Sequence, residues 1–277
     1  MTIKLVTIDI DDTLVNSARE ITPRVKAAIQ AATAAGVKIV LATGRPLTGV
    51  VDYLDELGLN NQDDQFVINY NGGMIQTTSG KVLGGGKLDL AAYQELRQVA
   101  DDLNVYMQVE ADDAAYTSDN VVPYHASREN FIVKMPLKFV PLAEMPADLP
   151  YIKVMMIGDA AKIDADTAAL PQAIQDKYYV VRSTANFLEF MNPKASKGAA
   201  LELLAKHLNL SMDETMALGD QENDLTMIKA AGLGVAMGNA VEKVKKTANM
   251  QTTSQNADGV GLAIEKWVLG KNVPELN

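Results

Sequence analysis

Two hydrophobic periods alternate along the first part of the chain. Leu5-Val6-Thr7-Ile8 is a short, nearly unbroken apolar run, the pattern of a strand covered on both faces. A helix follows, with Thr22 placed to cap it, Pro23 at its first position, Val25 and Ile29 on one face and Gly36 at its stop. Val37 to Ala42 reads as the next strand, Leu47 to Leu57 as a helix stopped by Gly58, and Phe66 to Tyr70 as a third strand. Strand, helix, strand, helix, strand predicts parallel βαβ units with right-handed crossovers.

The rhythm breaks at Gly84-Gly85-Gly86, which reads equally as a hairpin loop or a domain hinge. Beyond it, a helix over Leu90 to Leu103 is mixed with β-rich runs such as Phe131 to Met135 and Ile152 to Ile157, among frequent prolines. After Phe187 to Met191 the first rhythm returns. Helices are predicted around 199–208, 225–231, 241–248 and 259–269, and strands at 215–218, 234–237 and 249–252. The predicted architecture is α/β: a Rossmann-like, doubly wound parallel sheet made by residues 1–86 and 190–277, interrupted by an inserted α+β domain over 87–189.

Composition narrows the class. With 277 residues, 48% of them hydrophobic, the chain can bury a core in one large domain or two ordinary ones. No apolar run approaches the ~18–20 residues needed to span a bilayer, and the chain opens on a strand rather than a signal-peptide layout. Its 35 acidic against 25 basic residues disfavour nucleic acid, whose phosphates call for clustered cations. The absence of cysteine excludes disulfides, thiolate metal sites and a thiol nucleophile, and fits a reducing compartment. The expectation is a cytoplasmic protein with no nucleic-acid and no membrane partner; nothing in the sequence specifies an oligomeric state. Of the net charge of −10, −7 falls on residues 87–189 and −3 on the rest.

Four patches carry chemistry. Asp9-Ile10-Asp11-Asp12-Thr13-Leu14 leaves the first strand, and strand alternation would set Asp9 and Asp11 on one side. Ligands of open α/β folds bind beyond such strand ends, and paired carboxylates there call for a hard cation such as Mg2+; a solvated Asp-rich turn has the same sequence. Thr43-Gly44-Arg45-Pro46 follows the second strand and offers a hydroxyl and free amides to an anion, or else a plain N-cap. Lys194-Ala195-Ser196-Lys197-Gly198 opens a helix. A cation there opposes the helix dipole, so Lys197 in particular implies a nearby anion. Gly219-Asp220-Gln221-Glu222-Asn223-Asp224 again sets carboxylates after a strand. Together these supply the parts for metal-assisted phosphoryl transfer through a carboxylate nucleophile.

The four patches resemble the four signature motifs of the haloacid dehalogenase-like superfamily. Gly-Asp-Gln-Glu-Asn-Asp at 219–224, Thr-Gly-Arg-Pro at 43–46, Tyr70-Asn71-Gly72-Gly73 and Lys153-Val154-Met155-Met156-Ile157 are similar to its Cof-type, subfamily IIB members, closest to the YidA-type sugar phosphatases. The resemblance implies a Mg2+-dependent phosphatase of small phosphate monoesters, foremost sugar phosphates. Asp9 would be the nucleophile and Asp11 the general acid and base. Asp9, Asp220 and the carbonyl of Asp11 would hold Mg2+. Thr43, Gly44, Lys197 and Asn223 would bind phosphate, with amides of Ile10 and Asp11 helping, and Asp224 would support the metal site. A cofactor or flavin-precursor phosphate, a phosphomutase reaction or a non-catalytic sugar-phosphate sensor are the competing implications. The insert would be a C2-type cap. Within it Met155-Met156 reads as core, and Arg128, Glu129, Lys134 and Lys138 as substrate contacts or a solvated strand face; His125 and His207 read as surface or packing residues. One departure stands out: the family's usual glycine after the second aspartate is Asp12 here, implying lowered activity and, if φ is positive, some strain.

Overall fold

In a computed structural model of the chain, residues 2–274 and 276 are described. The chain forms β1 (Leu5–Ile8), α1 (Pro23–Ala34), β2 (Lys38–Ala42), α2 (Val51–Leu57), β3 (Phe66–Asn69), β4 (Met74–Thr77) and β5 (Val82–Gly84). There follow α3 (Leu90–Leu103), β6 (Tyr106–Glu110), β7 (Ala115–Thr117), α4 (Tyr124–Ile132), β8 (Leu137–Phe139), β9 (Lys153–Ile157), α5 (Ala160–Ala169), α6 (Gln172–Lys177), β10 (Tyr179–Thr184) and β11 (Phe187–Met191). The return consists of α7 (Lys197–His207), β12 (Thr215–Gly219), α8 (Leu225–Ala230), β13 (Leu233–Ala236), α9 (Glu242–Thr247), β14 (Met250–Gln251) and α10 (Gly259–Ala263). These elements gather into two compact units: the residues up to Thr43, Val51–Gly84 and the residues from Ser196 on make the first, and Gly44–Val50 with Gly85–Ala195 make the second.

The first unit is a sheet in the order β14-β13-β12-β1-β2-β3-β4-β5, parallel from β14 to β3 and closed at one edge by the antiparallel β4 and β5. The parallel run is apolar because helices cover it: β1, β3 and β12 are buried at every position. From β1 the chain winds one way through α1 and α2 to β3, and the return winds the other way through α8 and α9 to β14. Right-handed crossovers in opposite directions put the two helix groups on opposite faces, which is the doubly wound arrangement. The crevice where the winding reverses lies at the carboxyl ends of β1 and β12. Helix α1 starts as its sequence dictates, with Pro23 at its first position and Thr22 Oγ1 accepting from Val25 N–H at 3.4 Å, and it buries Val25, Ala28, Ile29 and Ala32.

The second unit is a six-stranded sheet, β10-β11-β9-β6-β7-β8, antiparallel except for β7 and β8. One face carries the apolar core, with Met107, Val109, Val154, Met156, Leu188 and Phe190 packed with Leu96 of α3, Ile163 of α5 and Ile174 of α6. On the other, Ala126 of α4 packs with Met155, Ile157 and Phe187. Both methionines of the Met155-Met156 pair are core, one on each side.

Three sequence expectations require correction. Phe131–Met135 is not a strand: it is the end of α4 and the turn after it, where Lys134 has φ +54° and Met135 N–H returns to Asn130 C=O at 2.9 Å. Val133 and Met135 are buried around an exposed Lys134, so a helix-ending turn imitates the period of two. Arg128 and Glu129 therefore sit on a helix, not on a strand face. Finally, Leu47 to Leu57 is a single turn over Leu47–Gly49 followed by α2, since Gly49 and the β-branched pair after it weaken a continuous helix.

Candidate active site

The site grows from three loops of the first unit. Asp9 N–H donates to Leu218 C=O at 3.1 Å, the last link between β1 and β12 before the chain turns. A wide helical turn over Ile10–Leu14 begins immediately, so the alternation that would have aligned Asp9 with Asp11 ends at Ile8. Asp9 is buried; Asp11 is extended (φ −74°, ψ 125°) and exposed. Asp12 takes the left-handed conformation (φ 58°, ψ 16°), and its carbonyl accepts from Asn239 Nδ2 at 2.8 Å. Aspartate tolerates that region better than most residues, which lets it stand where glycine is customary.

Lys197 is the first residue of α7, behind the cap Ser196, whose hydroxyl accepts from Ala199 N–H at 3.1 Å. The anion required by its place at a helix start is present twice over. Fully buried, Lys197 Nζ donates to Asp9 Oδ1 at 2.6 Å and to Asp224 Oδ1 at 2.6 Å. Gly198 brings α7 against α8, and a Cβ there would lie 2.5 Å from the carbonyl of Thr226. Asp224 is engaged on both oxygens, because Oδ2 accepts from the amides of Asp220 (2.9 Å) and Gln221 (3.0 Å). Gly219 makes room for it, since a Cβ would approach that carboxylate to 2.5 Å.

Asp220 differs. Oδ1 accepts from Thr13 Oγ1 at 3.0 Å, whereas Oδ2 is buried with no hydrogen-bond partner. Asp9, Asp220 and Asp224 each offer an oxygen within 4.8 Å of the others. Burial, then Asp224, pushes Asp9 well above the carboxylate range against the pull of Lys197. The same two causes push Asp220 to about 7. Burial alone would lower Lys197, but Asp224 and Asp9 hold it above its ordinary value. One ammonium is too little charge for three buried carboxylates, and a hard cation with oxygen ligands fits the deficit. The donors left for it are Asp220 Oδ2 and Asp9, because both oxygens of Asp224 are already used.

The structure therefore brings Asp9, Lys197, Asp220 and Asp224 into direct contact or close approach. Asn223 Nδ2 donates to Asn71 Oδ1 at 3.1 Å, and Asn71 N–H donates to the carbonyl of Thr43, itself buried at the end of β2, at 2.8 Å. Thr43 caps no helix, because Pro46 and the short turn after it intervene. Gly44 groups with the second unit, where its carbonyl lies 3.4 Å from Lys153 Nζ. Lys194 lies exposed before the helix. His207 stacks edge-on against Phe66, and His125 lies 3.2 Å from Asp159 within the second unit. The sequence assigns no site role to Thr13, Asn71 or Asn239; the first two stand inside motif runs, whereas Asn239 stands in none.

Residues 6–264 match the haloacid dehalogenase-like hydrolase family. YxeH of Bacillus subtilis is 40% identical over 269 residues, covering 97% of this chain and 99% of that protein. The 5-amino-6-(5-phospho-D-ribitylamino)uracil phosphatase YcsE of the same organism is 30% identical, covering 96% of each chain. The crystal structure of a haloacid dehalogenase-like hydrolase from Bacteroides thetaiotaomicron superposes with a TM-score of 0.83 at 33% identity, over 96% of this chain and 99% of that one. With carboxylates and a buried lysine gathered at the strand ends of such a fold, the chain belongs to the haloacid dehalogenase-like superfamily, as a Cof-type hydrolase.

Proposed function

We propose that this phosphoric monoester hydrolase acts on small phosphate monoesters, sugar phosphates foremost, with Mg2+ and through an aspartyl-phosphate intermediate. The observation that carries the reading is Lys197, fully buried between Asp9 and Asp224 while a carboxylate oxygen of Asp220 is left without a partner beside them. Asp9 and Asp220, with the carbonyl of Asp11, would hold the ion, which would neutralise charge developing on the phosphoryl oxygens. An oxygen of Asp9 attacks phosphorus as the bond to the leaving oxygen breaks, and Asp11 supplies the proton that this oxygen takes. Asp11 then takes a proton from water, whose oxygen attacks the phosphoryl group; inorganic phosphate leaves and Asp9 is restored. Lys197, Thr43 and Asn223 donate to the phosphoryl oxygens, with the amide of Gly44 as a further donor. Asp224 orients Lys197 and the start of the Asp220 loop through the three hydrogen bonds it accepts.

A second reading of the leaving group is favoured by the relative YcsE, whose name gives a ribitylaminouracil phosphate as substrate. Phosphate release measured over a panel of sugar, nucleotide and cofactor phosphates, with and without Mg2+, tests both. The proposal expects Mg2+-dependent release, highest on sugar phosphates. Preference for the ribitylaminouracil ester selects the second reading, and no Mg2+-dependent release from any ester overturns the phosphatase assignment.

A further inference from the structure

One segment of the first unit holds a backbone that proteins rarely adopt. Tyr70, Asn71 and Gly72 have positive φ in succession, at 53°, 53° and 97°. L-residues avoid this region, asparagine less than most, and such strain persists only where neighbours over-determine it. Three neighbours do so here. Asn71 N–H donates to the carbonyl of Thr43 at 2.8 Å, and Asn71 Oδ1 accepts from Asn223 Nδ2 at 3.1 Å. Gly72 lies against the carbonyl of Ser196, where a Cβ would approach the oxygen to 2.2 Å, and Ser196 caps the helix that opens with Lys197. A single buried turn thus touches the loops of Thr43, Lys197 and Asn223, which arrive from three separate parts of the sequence.

We infer that Asn71 is a positioning residue for the phosphoryl site. Its side chain engages one amide hydrogen of Asn223 and so sets the direction of the other, while its main chain holds the Thr43 peptide. The inference rests on the phosphatase reading for what these residues bind. Asn71→Gly keeps the left-handed backbone and its N–H but removes the acceptor; Asn71→Ser, too short to reach Asn223, gives the same comparison should the glycine variant melt early. Affinity for inorganic phosphate in Mg2+ is measured by calorimetry, beside KM and kcat for p-nitrophenyl phosphate. Losing one hydrogen bond that orients a donor should weaken phosphate binding and raise KM about tenfold, with kcat changed less than about twofold. Asn223→Ala should weaken phosphate binding similarly, and the double variant should be no weaker than Asn223→Ala alone, because the two residues act as one unit. Wild-type phosphate affinity in Asn71→Gly, or losses that multiply in the double variant, overturns the inference. A wild-type chain that binds phosphate but hydrolyses no ester sinks the phosphatase reading alone, since phosphate affinity still reports on Asn71. A chain that binds no phosphate overturns both.

Discussion

Lys197 in the first unit and Lys153 in the second are both buried, and each is ion-paired to two carboxylates. The resemblance stops at composition. Lys197 meets Asp9 and Asp224 at 2.6 Å in loops beyond the strands, and Asp224 is held in turn by two backbone amides. Lys153 meets Glu110 and Glu189 at 3.2 Å inside the sheet, where Glu110 and Lys153 are cross-strand partners on β6 and β9. Neither oxygen of Glu110 has a hydrogen bond, and burial pushes this carboxyl up to about 7 despite Lys153. Two backbone amides donate to Asp224, whereas Glu110 has no such donor to offset its burial. The first cluster stands in loops beyond the strand ends, where the proposed phosphate would arrive, and the second lies inside a sheet.

Variants can break this contrast. The largest expected effect is Asp9→Asn, which should lower turnover of p-nitrophenyl phosphate by at least about 10^4-fold with an intact melting transition; wild-type-like turnover from a clean preparation would remove Asp9 as nucleophile. Lys197→Met should cost about 10^3-fold in turnover, since it removes the cation facing the developing charge. Lys153→Met should instead act on stability, by about 3 kcal/mol in urea unfolding, as one partner of a buried pair is lost. Equal losses of turnover in the two lysine variants would erase the distinction.

A smaller effect follows from Glu110. Its folded pKa lies above the unfolded value, so the unfolded chain ionises first as pH rises. Stability should therefore fall between about pH 4.5 and 7 and level off above. Glu110→Gln should flatten that decline by on the order of 2 kcal/mol in unfolding curves at pH 5 and 8, and an unchanged slope would show that the carboxyl titrates normally. The smallest effect belongs to Asp12→Gly. It relieves a left-handed non-glycine residue and removes a charge that helps raise Asp220, and should raise turnover by up to about threefold with a stability change within about 1 kcal/mol. Reduced turnover would make Asp12 a contributor in its own right.

Much of the fold was legible because parallel strands covered on both faces read as continuous apolar runs, as β1 and β2 do. Lys197 was legible for another reason: a cation at a helix start is a local electrostatic conflict, visible without knowing its partner. The failures also have physical causes. Burial of Val133 and Met135 around Lys134 comes from a turn that no period describes. Asn71 stands in a family-like run whose local pattern shows no role for it, because its partners are Thr43 and, 152 positions away, Asn223.

Taken alone, the sequence determined which groups exist and roughly where they stand: carboxylates after strand ends, a hydroxyl with glycine, and a lysine opening a helix, all in an order suited to phosphoryl transfer. Those are consequences of local periodicity and local charge. Only the tertiary structure decided that Asp224 spends both oxygens on Lys197 and two amides, that Asp220 keeps one oxygen free of any hydrogen bond, and that burial raises Glu110. Burial and partner count belong to packing between distant segments, with Asp9 and Lys197 meeting across 188 positions of chain, and no local pattern contains them.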